Sequence, residues 1–289
     1  MADNSSGSRD RKLGLIAPFS IVAAIAFVVV AAALFATRSA KEPPRPPPTV
    51  AAPPASPAPR PVPETTWGRT ELVASANALA AAYAANGAGA AGTKDSLAGR
   101  KFTLRIPFGC EGPQVRPGGS QAYYEFDSEK RTVRLMARPA IWTTLPVVHE
   151  TVAPDRLEAV EGFWIPQPWT ASERCPPPRE TPVPASPTPP AAETLGLARL
   201  FEPGASRIGR RAERAYEHVV KLDDGEPLPL AQGYRLVIEG RLAAFPDGRV
   251  AHCWSESAAH RPVCLYAVEF DRVAFETGDE GRLLAEWRD

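Results

Sequence analysis

The side chains best suited to metal binding or nucleophilic catalysis are scarce in this 289-residue chain, which has four histidines and four cysteines. The histidines are His149, His218, His252 and His260. None belongs to an HExxH motif, and the sequence contains no GxSxG elbow, no SxxK and no GxxxxGK(S/T) loop. The sequence therefore predicts no catalytic, cofactor-binding or metal-binding residue, and no cofactor.

The four cysteines are better explained as disulfides. Their even number is typical of a chain that folds in an oxidising compartment. Among the three possible pairings, the most local one joins Cys253 to Cys264 across the loop of a predicted hairpin. It also joins Cys110 to Cys175, at the two ends of a predicted β segment. We expect this pairing.

A zinc site is the alternative for the second cysteine pair, with His252, Cys253, His260 and Cys264 as ligands. The spacing lacks the CxxC unit of structural zinc sites. His252 and Cys253 are also neighbours on a predicted strand, so their side chains point to opposite faces. Disulfides are therefore the preferred interpretation.

A membrane anchor is predicted at residues 13–36, which carry no charge. As a helix this stretch would span roughly 36 Å, against a hydrocarbon core of ~30 Å. It exceeds the ~7–15 apolar residues of a signal peptide, although a small-x-small site at residues 31–33 leaves cleavage open. The positive charges on the two sides balance, so the cysteines decide the orientation. We expect residues 1–12 in the cytoplasm and the bulk of the chain on the oxidising side.

Proline divides the chain into segments. Of its 33 prolines, 11 fall between residues 42 and 64 and 8 between residues 175 and 191. The predicted organisation is given by residue ranges: a proline-rich linker (37–65), a helix with a Gly/Ala loop (66–93), a first β module (94–175), a second proline-rich linker or loop (176–192) and a second β module (193–289). The charges balance at 33 basic and 33 acidic groups, which argues against a nucleic-acid partner.

The fold class predicted from residue periodicity is mainly β, as antiparallel sheet or barrel-like modules with one or two short helices. Apolar residues alternate over Lys101–Phe108 and along a hairpin at residues 122–137, and a helical pattern covers 67–86. Weaker helical patterns occupy 194–202, 208–217 and 279–287. The sequence leaves open whether the two β segments are separate modules or halves of one sheet, and two packed modules are preferred.

Two groups of residues could form a binding surface. The first is a basic cluster, Arg207, Arg210, Arg211 and Arg214, which would share one face if it were helical and could engage an anionic partner. Its alternative is a solvated or internally paired face. The second group is Trp164 and Trp169, because aromatic rings bind sugars and proline-rich peptides. Packing in the core is the alternative for these rings.

Three runs carry a resemblance to known sequences: KFTLRIPFGCEGP (101–113), RTVRLMARPAIWTTLP (131–146) and EGFWIPQPWTASERCP (161–176). The chain resembles membrane-anchored envelope proteins of sphingomonad-type alphaproteobacteria over residues 66–275. That group has no assigned activity, so no functional residue can be carried over. The resemblance implies a bacterial inner membrane, crossed once by residues 13–36, and a periplasmic domain.

The predicted function is non-enzymatic: a membrane-tethered periplasmic β protein that binds or scaffolds an envelope protein or glycan. An anchor, a spacer, a disulfide-linked sheet and the lack of a catalytic signature favour it. The alternative is an envelope hydrolase acting on glycan or peptide. A deep pocket gathering a histidine with carboxylates would favour the enzyme, whereas exposed tryptophan and arginine on a flat or grooved sheet would favour binding.

Overall fold

The computed structural model describes residues 65–87, 97–114, 121–177, 193–225 and 232–289. The predicted cytoplasmic tail and anchor, nearly all of the first linker, and residues 178–192 of the second proline-rich segment lie outside these ranges. All described residues lie in one unit, Val62–Asp289. Within the described ranges, no helix is long and apolar enough to cross a membrane.

Strands dominate the described part of the chain, which confirms the mainly β prediction. They are β1 Lys101–Phe108, β2 Ala122–Asp127, β3 Thr132–Ala137, β4 Ala140–Ile141, β5 Ala159–Trp164, β6 Leu195–Phe201, β7 Tyr216–Lys221, β8 Tyr234–Leu242, β9 Ala251–Trp254, β10 Val263–Thr277 and β11 Leu283–Arg288. The helices are α1 Arg69–Asn86, α2 Pro146–His149 and a single 3-10 turn, Pro154–Arg156. Gly87 ends α1 with a φ of 72°, a conformation that suits glycine.

The described strands form two sheets. The larger has eight strands in the order β1-β8-β10-β6-β5-β4, with β9 and β11 also pairing with the long strand β10. Most pairs are antiparallel, but β6 runs parallel to β10. The smaller sheet has the order β2-β3-β7 and is antiparallel throughout.

The main core lies between one face of the large sheet, the small sheet and α1. Alternate residues of β1 (such as Leu104), β2 (Tyr124) and β10 (Phe275) meet there with Leu72 of α1. The opposite face of the large sheet is covered around β5 and β6 by Trp142 and by residues of the segment 145–157. Each burial pattern follows from the two-residue alternation of the strands.

Three predicted helices are wrong. Residues 195–201 form β6, residues 207–215 form turns that lead into β7, and residues 283–288 form β11. Apart from Arg199, β6 is apolar on both faces, because it lies inside the sheet with a covered face on each side. A short apolar run of this kind has no period of two, so its sequence does not separate strand from helix.

The two β segments interleave in both sheets, which corrects the preference for two packed modules. β1 of the first segment pairs along its whole length with β8 of the second. β5 of the first pairs with β6 of the second. Neither segment could bury its strand edges alone, because each supplies the hydrogen-bonding neighbours of the other.

Both predicted disulfides are present, with Cα–Cα distances of 5.4 Å for Cys110–Cys175 and 4.1 Å for Cys253–Cys264. Cys253 and Cys264 lie directly opposite each other on β9 and β10. The N–H of Cys264 donates to the Thr194 carbonyl on its other side, at 2.9 Å. The two cysteines are therefore a non-hydrogen-bonded pair, the type in which Cα atoms approach to about 4.5 Å.

Candidate functional site

The most exposed of the predicted site tryptophans is Trp169, whose side chain is 58% exposed on the turn after β5. Arg69, the first residue of α1, donates hydrogen bonds to the backbone of this turn. Its Nε donates to the Thr170 carbonyl at 2.9 Å, and its Nη2 donates to the carbonyls of Pro166 at 2.5 Å and Gln167 at 3.1 Å. Trp169 is therefore presented on an anchored backbone, which reduces the entropy lost when its ring is immobilised.

Arg69 is unusual because it is buried, with 3% exposure. Desolvation lowers the pKa of its guanidinium, and the nearby Glu173 carboxylate opposes that shift. Its Nη1 has no hydrogen-bond partner. A buried arginine is tolerated when its donors are used, and here three of its hydrogen bonds fix the turn that carries Trp169.

Trp164 does not join Trp169 in one aromatic surface. Its ring lies 4.5 Å from that of Trp142, measured between centroids, and packs over Gly196 on the far face of the large sheet. A side chain added at Gly196 would collide with the Trp142 ring and crowd that of Trp164. Trp164 is thus partly buried against Trp142 and also lines the pocket described next, while Trp169 is exposed.

A small pocket of about 180 Å³ shares Pro166 with the Trp169 turn. We call it the Gln114 pocket; it is lined among others by Ile106, Phe108, Gln114, Phe163, Glu193 and Leu236. The side-chain oxygen of Gln114 is buried and has no hydrogen-bond partner. Partial burial raises the pKa of Glu193. The pocket thus combines apolar walls with acceptor oxygens.

The basic cluster is largely paired within the molecule. Arg207 and Arg210 both bind the Glu158 carboxylate, each at 2.6 Å. The guanidinium of Arg211 lies 4.3 Å from the centre of the Tyr216 ring and donates to the Ala215 carbonyl at 2.7 Å. These contacts replace the single helical face that the sequence suggested.

Arg207 and Arg214 are the exposed members of the cluster, and the Arg214 Nε donates to the Arg211 carbonyl at 3.1 Å. The cluster thus pairs largely within the molecule and presents parts of Arg207 and Arg214 to solvent.

Glu161 is buried and accepts hydrogen bonds from the backbone of the turn that carries the basic cluster. Its carboxylate, 3% exposed as a residue, accepts the backbone N–H of Arg211 at 2.8 Å and of Ala212 at 2.9 Å. Ala212 and Glu213 have φ values of 49° and 69°, which non-glycine residues adopt only with support. Glu161 supplies that support and so sets where β7 begins.

A second pocket, of about 260 Å³, gathers a histidine with carboxylates. His252 on β9 lies 3.1 Å from the Asp247 carboxylate, measured from Nε2 to Oδ2. Asp247 belongs to a turn at residues 245–248, in which the Gly248 N–H donates to the Phe245 carbonyl at 2.8 Å. Glu150 lines the pocket too and accepts the Trp254 indole N–H at 3.0 Å.

The surroundings of His252 favour its neutral imidazole form. Burial lowers the pKa of His252, while the Asp247 hydrogen bond opposes the shift. A carboxylate–histidine pair becomes a nucleophilic device only when a hydroxyl or thiol lies within hydrogen-bond reach of the histidine. The Thr151 hydroxyl that lines the pocket donates instead to the Val147 carbonyl at 2.5 Å. Among the described residues, the pair is therefore suited at most to polarising a bound water.

Two functional contacts escaped the sequence analysis. The hydrogen bonds from Arg69 to the Trp169 turn, which we call the Arg69 clamp, join residues about 100 positions apart, so no local sequence motif predicts them. The Asp247–His252 pair has a weak signal in the sequence, because Pro246-Asp247-Gly248 is a typical turn sequence just before the strand that carries His252. In the described part of the chain, no three His, Cys, Asp or Glu side chains are placed to hold a metal ion.

Comparison with known proteins finds no family model, curated protein or solved structure that matches this chain.

Proposed function

We propose that the chain is a membrane-tethered periplasmic binding protein that recognises a glycan of the bacterial cell envelope through Trp169 and the Gln114 pocket. The observation that carries the proposal is an exposed tryptophan on a turn clamped by the buried Arg69. Exposed aromatic anchors on rigid backbone are typical of binding hot spots.

The compartment is supported by two features. Both disulfides are formed, so the described residues contain no free cysteine, as suits an oxidising environment. The uncharged stretch 13–36 has the length of a membrane span, and the proline-rich segment after it has the composition of an extended spacer. Together they favour a domain held at a distance from the inner membrane.

The chemistry of the surface favours a sugar over a cofactor. The Gln114 pocket is smaller than the ~300–1,000 Å³ of a typical small-molecule site. It could hold one ring of a polymer whose neighbouring units lie on the surface. Its polar side chains include the Gln114 amide and the Glu193 carboxylate. Their oxygens can accept hydrogen bonds from sugar hydroxyls, and the amide NH2 can donate to a hydroxyl oxygen. Apolar walls and Trp169 provide contacts for the faces of the sugar rings.

Calorimetry of the full-length chain in detergent tests the proposal, with an N-acetylglucosamine tetrasaccharide and a proline-rich peptide as probes. We expect the saccharide to bind, and Trp169→Ala to weaken it about tenfold or more, the loss typical of an aromatic hot spot. Trp169→Phe should recover much of the affinity. Ile208→Ala is the matched control, since Ile208 is equally apolar and 64% exposed on a different turn.

Other outcomes separate the classes of partner. Binding of the peptide alone, lost in Trp169→Ala, would replace the glycan with a protein partner at the same surface. Equal affinity of the wild-type, Trp169→Ala and Ile208→Ala chains for the saccharide would remove Trp169 from the site. Absence of binding, together with turnover of an envelope glycan, would contradict the binding function.

A hydrolase is the second candidate, because the 260 Å³ pocket places His252 against Asp247. In that case the neutral imidazole would take a proton from an attacking water, with Asp247 orienting the ring. His252→Gln should then abolish hydrolysis of envelope glycan or peptide by the purified chain. No activity in the wild-type chain, or unchanged activity in His252→Gln, would contradict this candidate.

A further inference from the structure

The small sheet ends in a strand, β7, whose outer backbone edge has no partner among the described residues. β7 pairs only with β3, in the register Val133–Val220, Leu135–His218 and Ala137–Tyr216. The N–H of Leu222 donates to the Arg131 carbonyl at 2.9 Å, which continues the same register. Backbone groups of even-numbered residues in β7 therefore point toward β3.

The odd-numbered residues consequently present their N–H and C=O groups to the outside. They are Glu217, Val219 and Lys221, and their side chains are exposed on one face of the sheet, with Val219 51% exposed. Such an edge is a template for another strand. The question is which strand fits it.

The three residues form a pattern that is complementary to itself. If two copies of β7 run antiparallel with their Val219 residues opposite each other, Glu217 of each copy lies opposite Lys221 of the other. All three facing pairs are then hydrogen-bonded pairs, because odd residues meet odd residues. Oppositely charged cross-strand pairs are favourable, and like charges directly opposite each other are not.

Other registers lack this match. Centring the pair on residue 217 would place two Glu217 carboxylates opposite each other, and centring it on residue 221 would do the same with two Lys221 ammonium groups. Centring it on residue 218 or 220 would place Val219 opposite Glu217 or Lys221 and leave those charges without an opposite partner. The outward charges of the edge therefore favour the alignment centred on Val219.

We propose that this chain forms a two-fold symmetric dimer in which the β7 strands of two copies pair antiparallel about Val219, joining the two small sheets into one sheet of six strands. The interface is isologous, as expected for a closed dimer. It is also small, so the pairing should be weak in dilute solution and favoured where the chain is concentrated in a membrane plane.

Oxidative cross-linking of the full-length chain in membranes tests the dimer. The described cysteines are all in disulfides, so Val219→Cys introduces one reporter thiol at the two-fold axis. Glu129→Cys is the matched control, because Glu129 is exposed on the β2–β3 turn away from the edge. We expect at least about tenfold more covalent dimer with the first reporter, since only there do the two thiols face each other.

Charge reversal in the Val219→Cys background identifies the register. Lys221→Glu places two carboxylates opposite each other and should reduce the cross-link several-fold. The double change Glu217→Lys with Lys221→Glu restores opposite charges and should recover it, even though Arg134 loses its contact with Glu217. A dimer formed by another surface would not respond in this pattern.

A proline provides a test that keeps the fold. Val219→Pro removes an outward N–H, a change tolerated at edge strands, and should leave the unfolding transition of the full chain nearly unchanged. It should abolish the self-association of the wild-type chain, measured by sedimentation in detergent at a high protein concentration where the weak pairing is populated. Equal cross-linking at residues 219 and 129, cross-linking that ignores both charge changes, or association that survives Val219→Pro would overturn the proposal.

Discussion

The outer edges of β1 and β7 end their sheets in different ways. Along β1, the Trp67 backbone donates to Lys101 and accepts from Thr103, at 2.9 and 2.8 Å. The next outward N–H, that of Arg105, donates to the Glu173 carboxylate at 3.2 Å. Pro107 follows and has no N–H to offer. Along this edge the N–H groups of Thr103 and Arg105 are therefore bonded, and Pro107 has none to offer.

Within the described residues, no chain segment and no side chain bonds to the outward backbone groups of β7. Its edge instead carries charged side chains. Lysine and glutamate at an edge discourage indiscriminate pairing, but the spacing of Glu217 and Lys221 leaves one antiparallel alignment favourable. Covering an edge with the chain itself excludes every partner, whereas charging it excludes all but complementary ones. The edge of β1 is thus protected against pairing with another strand, whereas the edge of β7 selects its partner strand by charge.

The largest effect should come from removing the disulfide beside the covered edge. Cys110 follows β1, and Cys175 follows Glu173, so this bond ties down the segment that covers Arg105. Replacing both cysteines with serine should lower the free energy of unfolding by up to ~4.3 kcal/mol in the loop-entropy model. The same replacement at Cys253 and Cys264 is the control, with an upper value of ~2.8 kcal/mol. Chemical denaturation measures both, and a larger loss at Cys253–Cys264 would contradict this ranking.

The next effect concerns the turn before the open edge. Glu161→Ala would leave the N–H groups of Arg211 and Ala212 without their acceptor, and would remove the more distant of the two carboxylates near Arg210. We expect a loss of about 3 kcal/mol, because a buried charged partner is removed. Hydrogen exchange should accelerate at residues 207–215 while β1 stays protected. Equal acceleration in β1 would show that Glu161 acts on the whole fold.

A smaller effect should follow from uncovering one position of β1. Glu173→Ala frees the Arg105 N–H and removes a partly exposed ion pair. We expect a loss of about 1 kcal/mol and faster exchange at Arg105. Glu217→Ala is the matched change at the open edge and should cost less, since it removes only an exposed contact with Arg134. Faster exchange spreading over all of β1 would mean that Glu173 is essential to its cover.

The smallest effect involves His252, which lies on neither edge. Burial lowers the pKa of His252 in the folded chain. Below about pH 6.5 this imidazole is therefore protonated to a greater extent in the unfolded chain than in the folded chain. Stability should therefore fall as the pH drops from 7.5 to 5.5. His252→Gln should reduce that dependence without changing self-association. Denaturation at the two pH values measures it, and an unchanged slope in His252→Gln would contradict the assignment.

Part of this structure could be read from the sequence because it depends on neighbours along the chain. The alternation of Phe102, Leu104 and Ile106 predicted β1, and the apolar spacing of residues 67–86 predicted α1. The cysteine pairing also followed from sequence, since Cys253 and Cys264 flank a hairpin. Local periodicity and short loops fix these features before any long-range contact forms.

Other features were decided only by the tertiary structure. β6 is a strand because it lies between β5 and β10, and its sequence, apolar except for Arg199, has no periodicity that would identify it. The Arg69 clamp and the carboxylate of Glu161 act across 50 to about 100 residues. Which edge is covered depends on where Trp67 and Glu173 arrive in space. Sequence patterns record which side chains can be buried, whereas the partners of backbone groups at a sheet edge are set by chain segments that meet only in the folded molecule.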